Sequence, residues 1–125
     1  MTWLIPLLFI PTLMLLMAVA FHYKQPKQIN PIYGYRTGLS MKNQDTWIVA
    51  NRLASKCFLY TSIGFVVILT LLLTAIGKGN LTTWFGSLRP LFFTIAILST
   101  GLVLLPLIVT EYKLRQIFTA DGLRK

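Results

Sequence analysis

The sequence predicts an all-α integral membrane protein with three transmembrane helices plus a cytoplasmic interfacial amphipathic helix, and three observations predict it. Three uncharged apolar stretches, at about 2–22, 57–77 and 91–110, each have the roughly 20 residues a helix needs to cross a bilayer core of about 30 Å. The 12 Lys and Arg residues fall almost wholly in two of the segments between and after them. With 55% apolar residues and a mean hydropathy of +0.68 in a chain of 125, too little polar surface is left to cover a soluble globule. The chain reads as a single membrane domain, residues 1–125, with a cytoplasmic loop at 23–56.

The first stretch is expected to be a retained span and not a cleaved signal. Met1-Thr2-Trp3 lacks a basic residue, the apolar run exceeds the usual signal core, and Phe21-His22-Tyr23 is a poor cleavage site. Pro6 and Pro11 lie in its first half, where they favour a bend.

Charge sets the expected orientation. The 23–56 segment carries Lys24, Lys27, Arg36, Lys42, Arg52 and Lys56, and the tail carries Lys113, Arg115, Arg124 and Lys125; the connection before the third stretch has only Lys78 and Arg89. The positive-inside rule makes the first two segments cytoplasmic, with the N-terminus outside and the C-terminus inside. The net charge of +9 is thus read as juxtamembrane and lipid-facing, with no direct nucleic-acid binding.

In the loop, Pro31, Gly34 and Gly38 break the chain around Tyr33 and Tyr35, which predicts an ordered turn with its aromatic rings at headgroup depth. From about Asn43 the pattern turns helical. Ser40 or Asn43 is positioned to cap, and Asp45 falls in the first turn, where the helix dipole favours an anion. Trp47, Ala50, Ala54 and Cys57 or Phe58 recur at helical spacing, opposite Asp45, Val49, Arg52 and Lys56. Such a helix lies on the inner leaflet and then turns or continues into the second span. Asn51 and Ser55, one turn apart beside Trp47, are placed to brace neighbouring helices.

The second stretch holds Thr61, Ser62, Gly64, Thr70 and Thr74, small or weakly polar residues that permit close helix approach, whether within the chain or in a homo-oligomer. Trp84 and Phe85, in the short outer connection, are expected to be interface anchors. Asn80-Leu81-Thr82 matches a glycosylation sequon. Cys57 is the lone cysteine and reads as a packing residue, with acylation as the alternative. His22, Cys57 and the three scattered acids Asp45, Glu111 and Asp121 have no metal-ligand spacing, and no nucleophile motif or phosphate-cradling loop is present. The chain is therefore not expected to be an enzyme or to carry a cofactor.

Gly34-Tyr35-Arg36-Thr37, Ser40-Met41-Lys42-Asn43, Asp45-Thr46-Trp47, Ala50-Asn51-Arg52 and Ala54-Ser55-Lys56 together resemble the signature of the SdpI family of bacterial membrane proteins. The ending Thr110-Glu111-Tyr112-Lys113-Leu114-Arg115 is similar to the segment that closes that family's last span. The resemblance implies a bacterial plasma-membrane protein conferring immunity to a secreted membrane-active antimicrobial peptide, or a signalling or scaffold subunit holding a cytosolic partner such as a transcriptional repressor. Compared with the founding protein, which has additional spans before the motif, this chain looks like a short single-module version. A transporter role finds no support, because no Asp, Glu, Lys or Arg lies within the spans.

The candidate binding residues are Tyr35, Arg36, Lys42, Asn43, Trp47, Asn51, Arg52, Lys56 and Glu111. Arg36, on a glycine-flanked turn, has the planar fork that suits a carboxylate or a lipid phosphate. With Tyr35, Trp47, Asn51 and Lys56 it is expected to form a polar pocket at the inner leaflet. Glu111, at the inner end of the third span, is expected to pair with Arg52 or Arg36.

Overall fold

The computed structural model describes residues 4–77 and 88–125. Its helices are α1 (Leu4–Tyr23), α2 (Gln44–Gly77) and α3 (Leu88–Ile117). The expectations for Trp84, Phe85, Lys78 and the Asn80 sequon lie outside the described residues.

Of the two courses open to the amphipathic segment, turning or continuing, the chain continues. Gln44 to Gly77 form one 34-residue helix, about 51 Å long at 1.5 Å per residue, with no proline inside it. The segment expected to lie along the inner leaflet is its first part. Helix α1 runs through Pro11 and α3 through Pro106.

Among the described residues, two helices are long and apolar enough to cross a membrane: Gln44–Ala75 within α2, mean hydropathy 2.2, and Phe93–Ile117 within α3, mean hydropathy 2.3. Only 17% of each apolar window is buried within the molecule. The core helix of a water-soluble protein would bury most of such a surface, whereas these helices leave most of theirs exposed. In α1, the apolar stretch with described side chains, Pro11–Tyr23, is shorter than a full span.

Helix α2 is central and packs against both α1 and α3, which scarcely meet each other. Toward its C-terminal end the packing is thin: Leu69 and Ile95 are buried, with Leu72 and Leu73 against them. Several hydroxyls along the apolar helices satisfy themselves locally. Thr61 donates to the Cys57 carbonyl at 2.6 Å, Thr70 to Val66 at 2.7 Å and Ser99 to Ile95 at 2.6 Å, the bond to the preceding turn that hides a hydroxyl from hydrocarbon. Toward the N-terminal end of α2 the core is dense. Tyr35, Ala50, Ala54, Leu114 and Phe118 are buried together, with Phe21, Leu39, Val49 and Phe58 packed against them.

Candidate functional site: a loop and a terminal hook around the start of α2

The start of α2 is fixed by a reciprocal cap. The Thr46 amide donates to Asn43 Oδ1 at 2.9 Å, and the Asn43 amide donates to Thr46 Oγ1 at 3.1 Å. Thr46 thus takes the part Glu or Gln plays in the usual capping box, and two otherwise orphaned donors are satisfied. Of the two expected caps Asn43 serves, while Ser40 secures the turn before it. Ser40 Oγ accepts from the Thr37 amide at 2.7 Å and donates to the Tyr35 carbonyl at 2.9 Å.

Trp47, Ala50 and Ala54 are fully buried, as their spacing predicts, while Cys57 and Phe58 at the end of that face are half-buried. Trp47 Nε1 donates to the Pro26 carbonyl at 3.1 Å, pinning the descending loop to the helix. One turn on, Asn51 is 1% exposed. Its Oδ1 accepts the Tyr35 amide at 2.7 Å and its Nδ2 donates to the Trp47 carbonyl at 2.9 Å. Ser55 Oγ accepts from Gln25 Nε2 at 2.8 Å. Gln25, Trp47, Asn51 and Ser55 therefore stitch the loop along one stripe of α2.

That close approach requires Gly34. Its φ is +120°, and an added Cβ would lie 2.7 Å from Asn51 Oδ1 and 2.8 Å from Pro26 Cγ. Any side chain there meets both an unfavourable backbone region and an occupied space. The loop accordingly folds inward at Tyr35, which is only 5% exposed and packs within the protein. Tyr33 stays exposed and packs edge-on against Phe21, with ring centroids 5.7 Å apart.

The Tyr35 hydroxyl faces α3, 3.2 Å from the Leu107 carbonyl and 3.3 Å from Glu111 Oε2. Burial, reinforced by the Glu111 charge and the hydrogen bond to it, pushes the phenol up to about 12. Glu111 is joined to Arg115, one turn along the same helix, at 3.1 Å. The expected pairing with Arg52 or Arg36 is replaced by these two partners, because a guanidinium at i+4 is already within reach.

The chain beyond α3 adds a part that the sequence pattern does not predict. After Phe118 a turn through Thr119 to Gly122 reverses the direction, and Arg124 bridges back to Phe118. Gly122, at φ +83°, leaves no room for a Cβ, which would sit 2.9 Å from both Asn43 Nδ2 and Lys42 Cβ. Its carbonyl accepts from Asn43 Nδ2 at 2.7 Å. Arg124 closes the hook with a forked pair to Asp45, at 2.6 and 2.8 Å, and the hydrogen bond from Arg124 holds the Asp45 carboxyl below its usual range. The available sequence signal is the turn dipeptide Asp121-Gly122.

The nine candidate residues thus separate into two groups. Tyr35, Asn43, Trp47, Asn51 and Glu111 are engaged within the protein, while Arg36, Lys42, Arg52 and Lys56 have exposed side chains. The expected pocket that includes Trp47 and Asn51 is not formed, since Trp47 is fully buried and both polar ends of Asn51 are already paired.

No curated protein and no solved structure matches the chain. A family model does, over residues 27–110, from the descending loop through α2 to the end of the apolar part of α3. With more than half of the chain matched, and with the loop, cap and stripe of α2 inside that range, the chain belongs to the SdpI/YfhL protein family.

Proposed function

We propose that this chain is a three-span plasma-membrane protein of the immunity type that its family membership indicates, intercepting a secreted membrane-active peptide by binding and without catalysis. Helix α1 is the first of the three spans, the N-terminus lies outside, and the loop and terminal hook are cytoplasmic, following the basic residues. One observation supports the reading above the others. The hydrogen bonds and close contacts of the motif, at Gly34, Tyr35, Asn43, Trp47 and Asn51, build a rigid support that leaves Arg36, Lys42, Arg52 and Lys56 displayed. Cations held on a pre-organised base bind carboxylate-bearing or membrane-inserted partners with little further ordering cost.

The test is survival of a sensitive bacterium expressing the chain, challenged with culture supernatant of the source strain. Arg36→Lys, matched for membrane level, is expected to lose protection because it keeps the charge and loses the fork. Full protection by this variant would count against recognition at Arg36, and no protection by the unmodified chain would sink the immunity reading. The second reading is a scaffold holding a cytosolic repressor. It rests on the same displayed cations and on the hook fastened beside them at Asn43 and Asp45, and predicts that a partner co-purifies with the unmodified chain but not with an Arg36→Gln, Arg52→Gln variant.

A further inference from the structure

An open cleft of about 570 Å³ lies where the loop, α3 and the hook meet. Gly38, Leu39 and Lys42 line it from the loop, Glu111 and Arg115 from α3, and Lys125 from the hook. Three cations converge on it against one carboxylate, and that carboxylate is already engaged by Arg115 at 3.1 Å and by the Tyr35 hydroxyl at 3.3 Å. Lys125 Nζ is drawn in by the Arg115 carbonyl at 2.6 Å, which leaves the ammonium two further protons to donate. Lys42 and Arg115 are exposed, so the cleft holds unneutralised positive charge open to an incoming anion.

The surface leading to the cleft is apolar. Leu104, Ile108, Glu111 and Arg115 are spaced to share one face of α3, and Leu104 is 51% and Ile108 65% exposed. They belong to the part of α3 apolar enough to lie in a membrane. An exposed aliphatic strip thus runs directly into a basic cleft, the chemical profile of a single amphiphile with an anionic head.

We propose that the cleft binds a phosphate group, carried by the headgroup of an anionic phospholipid whose acyl chains lie along the Leu104–Ile108 strip. Arg115 offers the free edge of its guanidinium to the phosphate oxygens, and Lys42 and Lys125 close on it as point charges. The loop and the hook meet across the same cleft, so the bound lipid bridges them.

The test uses the full chain in nanodiscs of phosphatidylcholine containing a minority of phosphatidylglycerol, with retained lipid read by native mass spectrometry. The unmodified chain is expected to retain phosphatidylglycerol selectively. The Lys42→Gln, Lys125→Gln variant should weaken retention about thirty-fold, the scale of two surface lysines acting on an anionic headgroup. The Lys24→Gln, Lys27→Gln variant removes the same charge outside the cleft and should retain the lipid, with circular dichroism verifying that both variants stay helical. Equal retention by both variants, or equal loss by both, overturns the site. In detergent, inorganic phosphate should fail to displace the lipid; displacement at equal concentration would overturn the lipid as source.

Discussion

The two ends of α2 are held by different means. Around Trp47, the helix is enclosed by a loop and a hook that make side-chain hydrogen bonds to it at Asn43, Trp47, Asn51 and Ser55. Around Leu69, it meets α3 through a few aliphatic side chains, and its hydroxyls bond only to their own helix. Water explains the difference. Around Trp47 and Phe118, burial removes surface from water, and the buried polar groups of Ser40, Thr46, Asn51 and Ser55 each find a partner. Within the apolar layer a leucine gains little by exchanging lipid for protein, and packing alone holds the helices.

The largest expected effect tests that contrast directly. Trp47→Ala should cost about 3–5 kcal/mol, and Leu69→Ala distinctly less, because lipid tails can fill the space and no transfer from water is lost. Denaturation in mild detergent, followed by circular dichroism, measures both; an equal loss at the two positions would remove the proposed difference. Asn51→Leu comes next. It strands the buried Tyr35 amide, at an expected cost of about 1–3 kcal/mol, and hydrogen exchange at that amide should rise with it.

Tyr35→Phe should cost about 0.5–1.5 kcal/mol at neutral pH and should also change the alkaline limb of stability. The unfolded phenol ionises near 10.0 and the folded one only at about 12. The folded state therefore keeps a proton that the unfolded state has released, and stability falls as pH rises from the first value to the second. The Phe variant should lack that decline, and a decline of equal size in both proteins would place its origin elsewhere. Asp45→Asn should have the smallest effect, since its pair with Arg124 is exposed. Its folded carboxyl is depressed, so whatever it contributes is present above the usual carboxylate pKa and vanishes as pH falls through the depressed value. The Asn variant should show a correspondingly flatter acid limb.

The features legible in the sequence are those that repeat at short range. The buried face of Trp47, Ala50 and Ala54 follows from helical spacing, and Asn43 as a cap follows from its place before Asp45. The burial of Tyr35 escapes such a reading because an aromatic in a loop is placed by where the backbone turns, and Gly34 turns it inward. For Glu111 the expectation reached to distant arginines when Arg115, four residues on, is the nearer choice. Asp121-Gly122 signals the turn of the hook, but not where the hook docks, because its bonds to Asn43 and Asp45 each span 79 residues and no local pattern carries such a pairing.

The continuity of α2 has a mechanical consequence. From Gln44 to the start of the apolar stretch at Cys57 the helix has no proline to act as a pivot, and this part extends roughly 20 Å. It is a lever arm. A bilayer that thins or thickens enough to change the tilt of the apolar part by roughly 10° would swing the far end of the rod by about 3 Å, the length of one hydrogen bond. The loop and hook, fastened to that end, would be carried along with it.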